Sequence, residues 1–166
     1  DHDLSNIVEG TGSGACVFDY DGDGKLDIYF PQGRWEKTVS DNRGRDLIDQ
    51  LQNALYRGKG GFQFEDVTDK AGVAGRNFAF GCSAADYDGD GDTDLLVLTY
   101  KGPELYRNEG NGAFAEVTEK AGLAATRSSP TAAWPAYARG GDLALFVSTY
   151  LGYDQGTLRP AYPAPG

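Results

Sequence analysis

Asp19-Tyr-Asp-Gly-Asp-Gly-Lys-Leu-Asp27 and Asp86-Tyr-Asp-Gly-Asp-Gly-Asp-Thr-Asp94 are two copies of one nine-residue pattern. Counted from the first aspartate, both place carboxylates at positions 1, 3, 5 and 9 and glycine at position 6. Such a loop gathers oxygen ligands for one hard cation within a tight turn, and calcium takes about six to eight of them. The candidate side-chain ligands are Asp19, Asp21, Asp23 and Asp27 in the first loop, and Asp86, Asp88, Asp90 and Asp94 in the second. Position 7, Lys25 or Asp92, would add its backbone carbonyl. Gly24 and Gly91 let the chain turn where a Cβ would clash.

The spacing overlaps that of an EF-hand loop, and the flanks decide between the two. An EF-hand ends on a bidentate Glu at position 12 and lies between helices. Here position 12 is Phe30 or Val97. Ala15-Cys-Val-Phe18 precedes the first loop, Leu26-Asp-Ile-Tyr-Phe30 closes it, and Leu95-Leu-Val-Leu-Thr-Tyr100 follows the second. Runs so rich in β-branched and aromatic residues are strands. Asp and Gly also favour plain turns. Two copies with every carboxylate in register favour a metal site over a turn alone. Nine carboxylates in two short loops repel one another unless a cation sits among them.

Self-similarity reaches beyond the loops. Leu55-Tyr-Arg-Gly-Lys-Gly-Gly-Phe-Gln-Phe-Glu-Asp-Val-Thr-Asp-Lys-Ala-Gly72 aligns without gaps on Leu105-Tyr-Arg-Asn-Glu-Gly-Asn-Gly-Ala-Phe-Ala-Glu-Val-Thr-Glu-Lys-Ala-Gly122, 50 residues on. Val97-Leu-Thr-Tyr100 likewise matches Val147-Ser-Thr-Tyr150. A period near 50 with four strand signals per unit predicts an all-β chain of β-propeller blades, each of four antiparallel strands. One strand precedes the acidic loop and the next follows it. The third carries Leu-Tyr-Arg and the fourth carries Phe-x-x-Val-Thr.

The expected blades are about 12–72 and 77–122, with a half-blade at about 129–151, all within one partial propeller, 1–166. Two and a half blades do not close a ring of about four to eight. The expectation is therefore a portion of a larger propeller, or a ring completed by another chain. The third loop, Ala136-Tyr-Ala-Arg-Gly-Gly-Asp-Leu-Ala144, has no carboxylate at any of the four ligand positions, so no metal is expected there. Between Pro31 and Gln52 lies an insertion that holds Trp35 and a short apolar set, with a brief helix expected over 46–52. The tail from 152 to 166 is Pro-rich and expected to be extended.

A net charge of −10 argues against nucleic acid, and two bound calcium ions would bring it to −6. No apolar run approaches the roughly 20 residues of a membrane span. The first residue is Asp, which suggests a mature or trimmed product. Calcium is abundant outside the cell, so an extracellular or periplasmic address is expected. Cys16 and Cys82 precede their loops by three and four residues. That offset places them on opposite strand faces, so two buried thiols are expected rather than a bridge.

The order Gly-x-Gly-Ala…Phe-Asp-Tyr-Asp-Gly-Asp-Gly-x-Leu-Asp, then Leu-Tyr-Arg-Asn-x-Gly…Phe-x-x-Val-Thr-x-x-Ala-Gly, resembles FG-GAP/VCBS repeats over roughly residues 10–151. Within that group it is most similar to secreted proteins that pair such repeats with an ASPIC/UnbV domain, although no ASPIC/UnbV region is visible. The resemblance implies a propeller, related to the integrin α head, that binds calcium in the loop between its first two strands. It implies ligands at Asp19, Asp21, Asp23, Asp27, Asp86, Asp88, Asp90 and Asp94.

The leading functional expectation is a non-enzymatic, secreted calcium-binding module with two sites, used for protein–protein interaction, adhesion or assembly. The alternatives are the propeller portion of a polysaccharide-acting enzyme, or a sugar-binding protein that stacks glycans on Trp35. His2 is the only histidine, and repeated acidic clusters point to a scaffold rather than to one active site. Tyr56, Tyr106, Phe64 and Phe114 recur at the repeat offset and are expected in the blade core, with Trp134 buried as well.

Overall fold

The computed structural model describes residues 13–33, 51–75, 77–123, 131–135 and 143–148. Two antiparallel four-stranded sheets form most of their regular structure. In the first, β1 (Cys16–Phe18), β2 (Asp27–Phe30), β3 (Ala54–Gly60) and β4 (Gln63–Asp66) lie side by side in chain order. A single helical turn, α1 (Thr68–Ala71), follows. The second sheet repeats the order with β5 (Ala79–Ala85), β6 (Asp94–Thr99), β7 (Gly102–Asn108) and β8 (Phe114–Glu116). A third sheet pairs β9 (Thr131–Ala133) with β10 (Phe146–Ser148). The architecture is all-β, consistent with a partial propeller.

The Val-Thr signature after each fourth strand has a structural task. Val67 N–H donates to the Leu55 carbonyl at 2.9 Å, and Leu55 N–H donates back to the Thr68 hydroxyl at 2.9 Å. Val117, Leu105 and Thr118 repeat the arrangement at 2.8 and 2.9 Å. The hydroxyl thus replaces a ladder carbonyl where the sheet stops, so the buried Leu55 and Leu105 N–H groups keep a partner. Helix α1 was not expected from the sequence. It is one turn, ended by Gly72 at φ 77°, the left-handed conformation that glycine adopts without steric penalty.

Neighbouring blades pack face against opposite face. The first blade contributes Cys16, Phe18, Tyr29 and Leu55 to one apolar cluster, and the second adds Leu95, Val97, Tyr106 and Phe114. The other side of the second blade, with Leu96, Leu98, Leu105 and Val117, packs on Ala132 of the third sheet and on Trp134 and Leu145 beside it. Trp134 is half-buried rather than fully enclosed, although its indole nitrogen is buried without a partner.

This packing rule overturns the expectation of two thiols: Cys16 and Cys82 form a disulfide, with Cα atoms 5.9 Å apart. Phe18 pairs with Asp27 as Ala85 pairs with Asp94, so Cys16 is equivalent to Ser83, and Cys82 lies one residue earlier. The cysteines do lie on opposite faces of their own blades. Those are the two faces that meet.

The same rule corrects part of the expected core. Tyr106 and Phe114 are buried, at 4% and 9% exposure, because the first blade covers them. Tyr56 is only half-buried, and Phe64 is 43% exposed. Val17, at 56%, and Phe30, at 40%, lie exposed on the same side of the first blade. The expected helix at 46–52 falls mainly outside the described residues; Leu51 to Asn53 have no regular structure. Trp35, the third loop from 136 to 142 and the tail from 152 also lie outside them.

Candidate metal loops

Each acidic loop joins the first two strands of a blade, β1 to β2 or β5 to β6. In both, the last aspartate sits on the second strand and anchors the turn. Asp27 accepts Tyr20 N–H at Oδ2 and Gly58 N–H at Oδ1, both at 2.8 Å. Asp94 accepts Tyr87 N–H at 2.9 Å and Asn108 N–H at 2.8 Å in the same way. The first aspartate closes the turn: Asp19 accepts from Asp23 and Gly24, and Asp86 from Gly89, Asp90 and Gly91. Gly24 and Gly91 have φ of 79° and 98°, in the left-handed region that favours glycine.

In each loop three of the four expected carboxylates converge. Oxygens of Asp19, Asp21 and Asp27 lie within 4.8 Å of one another, as do those of Asp86, Asp88 and Asp94. Asp23 and Asp90 are not in these groups. Asp23 Oδ1 accepts Lys25 N–H, and Asp90 Oδ1 accepts Asp92 N–H, each at 2.9 Å. Burial raises the pKa of Asp27, and it pushes Asp94 up to about 6, because a charged carboxylate without bulk water is unfavourable. Tyr20 and Tyr87 are raised chiefly by burial, with the nearby aspartates adding to it.

The donors suit a hard cation. They are all carboxylate oxygens, which favour calcium or magnesium over zinc or copper. Asp21 Oδ1 is moreover buried without a hydrogen-bond partner, so an acceptor of the first cluster remains unused by the protein.

Basic side chains distinguish the loops. Arg57 Nη2 lies 2.9 Å from Asp23 Oδ2, and Arg57 Nε lies 2.7 Å from Asp21 Oδ2, an ion pair without hydrogen-bond alignment. Lys25 Nζ donates to Asp23 Oδ2 at 2.7 Å. These contacts hold the Asp23 carboxyl below its ordinary range, Lys25 foremost, and they raise Arg57. In the second blade, the equivalent Arg107 turns instead to Glu109, with Nη2 2.6 Å from Oε1.

One side chain joins the two loops. The buried Asn108 amide donates to the Tyr20 carbonyl at 2.7 Å and to the Thr93 carbonyl at 3.1 Å. The Tyr20 ring stacks on Phe114 of the second blade, with centroids 6.2 Å apart. In the first blade the position of Asn108 is Gly58, where an added Cβ would collide with the Leu26 carbonyl oxygen. Sequence reasoning missed Arg57 and Asn108. The contrast of Lys59 with Glu109, two residues beyond each arginine, was the available signal for the first.

A family model for the FG-GAP-like repeat matches residues 39–97 and again 86–144, well over half of the chain. The chain belongs to the FG-GAP-like repeat family. Both matches of the FG-GAP-like repeat take in the Asp86–Asp94 loop, whereas the Asp19–Asp27 loop lies outside them. They carry the repeat alone, without an ASPIC/UnbV association. No curated protein matches the chain. Among the described residues no helix is long and apolar enough to cross a membrane. The disulfide fits an oxidising compartment.

Proposed function

We propose that this FG-GAP-like chain is a calcium-stabilised, non-enzymatic propeller module that serves protein–protein interaction or assembly outside the cell. The observation that supports this reading most directly is the duplicated carboxylate cluster, Asp19/Asp21/Asp27 and Asp86/Asp88/Asp94. A frame built twice is a scaffold element, whereas a catalytic site is built once. The ion would supply positive charge that offsets carboxylate repulsion. Asp19, Asp21 and Asp27 would hold it in one loop, and Asp86, Asp88 and Asp94 in the other. The protein's own part is to keep these oxygens converged, through the backbone donors that engage Asp19, Asp27, Asp86 and Asp94. Ions that bind only the folded state add to its stability. The partner-binding role would lie with the surfaces that this frame presents, among them the exposed side of the first blade with Val17, Phe30 and Phe64.

Calcium titration by calorimetry, paired with thermal melts in calcium and in chelator, tests the reading. Two binding events and a lower melting temperature in chelator are expected. Absence of both heat and shift would refute the metal assignment.

A further inference from the structure

The two loops share a backbone frame but not a charge balance. The first contains four aspartates, with Lys25 on Asp23 and Arg57 on Asp21 and Asp23. The second contains five, because Asp92 stands where the first has Lys25. Its equivalent arginine, Arg107, is drawn off by Glu109, which stands where the first blade has Lys59. Lys59 pairs instead with Glu65, leaving Arg57 to the loop. Among the described residues, no ion pair reaches a carboxylate of the second loop. The formal charge is thus −2 around the first loop, counting Lys25 and Arg57, and −5 around the second, where the charges of Arg107 and Glu109 cancel.

We infer that Arg57 and Lys25 are resident counter-ions of the first loop, so the two loops bind cation unequally and the second fills first. The inference rests on the cation reading of the loops and deepens it. The first loop keeps the ability to bind, since Arg57 approaches Asp21 at Oδ2 while Oδ1 stays unpartnered. It does so against two cations already in place. A unit charge a few ångströms from a divalent ion alters its affinity by about tenfold even at the dielectric constant of water. A midpoint separation of about tenfold or more is therefore expected. Without cation, the first loop keeps its shape through Arg57 and Lys25, and the second does not have that support.

Backbone amides of Gly22 and Gly24 report the first loop, and those of Gly89 and Gly91 the second, so a calcium titration followed by ¹⁵N-resolved NMR separates the sites. In the wild-type chain the Gly89 and Gly91 signals should saturate at about tenfold lower calcium than those of Gly22 and Gly24. Lys25→Gln and Arg57→Gln should each move the first-loop midpoint towards that of the second. Asp92→Lys, at a half-buried position beside Gly110, should weaken the second. Equal wild-type midpoints, prior filling of the first loop, or a first-loop midpoint indifferent to both neutralising changes would overturn the inference. If no glycine signal moves, the cation reading itself fails, an outcome distinct from equal midpoints.

Discussion

Removing the Cys16–Cys82 bridge should cost this domain a large part of its stability. The bridge closes a loop of 66 residues between the first strands of consecutive blades. The chain-entropy relation for a loop of that length gives about 4 kcal/mol at room temperature. Native domains of ordinary stability have roughly 5–15 kcal/mol in total. The perturbation is the double variant Cys16→Ser/Cys82→Ser, which leaves no lone thiol, compared with wild-type protein under reductant. The assay is urea unfolding by circular dichroism, repeated in calcium and in chelator. With a slope of roughly 2 kcal/mol per molar urea, the midpoint should fall by about 2 M. The slope should also rise, since an unlinked denatured chain exposes more surface. Curves that superimpose with those of the oxidised wild type, or a loss below about 1 kcal/mol, would refute the reasoning. Blade packing alone would then be holding the pair together.

Asn108→Ala should destabilise the chain by about 2–3 kcal/mol, because it leaves the Tyr20 and Thr93 carbonyls without their amide partner. Thermal melts read that loss; Asn108→Asp should be no better, since a carboxylate cannot donate to either carbonyl. The pH dependence follows from Asp94, pushed up to about 6 from 3.8 by burial. Its folded form binds the proton more tightly than its unfolded form, so this contribution is fully present below about pH 4 and lost as pH rises through 6. In chelator, unfolding free energy should therefore fall by up to about 2 kcal/mol between pH 4.5 and 7. Asp27 acts in the same direction. Asp23, Glu65 and Asp66, held low by their hydrogen-bond partners, act oppositely at lower pH. Denaturant titrations across this range should show the slope in wild type and a reduced one in Asp94→Asn.

The sequence revealed most where the physics is local. Carboxylates spaced through one turn, and a glycine where φ must be positive, are set by a few neighbouring residues. The 50-residue repeat likewise exposed strand order, because each blade is built from the same signals. It could not show which copy of a repeated position is covered. Phe64 and Phe114 are equivalent in sequence, but the first blade covers only Phe114. The disulfide was missed for a related reason. The one-residue offset of the cysteines was read correctly, but its meaning depends on which faces of adjacent blades meet. Charge placement was partly visible: Lys25 against Asp92 and Lys59 against Glu109 stand in the sequence, yet only the structure shows Arg57 paired with Asp21 and Asp23 and Arg107 paired with Glu109.

Packing of face against opposite face gives the array a direction. A blade added on the Val17–Phe30 side would have to offer the counterpart of the Leu96–Leu105 side, and would leave a fresh Val17–Phe30 side behind it. Such a surface does not complement its own copy across a two-fold axis. Association through these faces is head-to-tail, so it ends either as a closed ring or as an open filament. The rotation between successive blades, more than the strength of any single contact, selects between those outcomes.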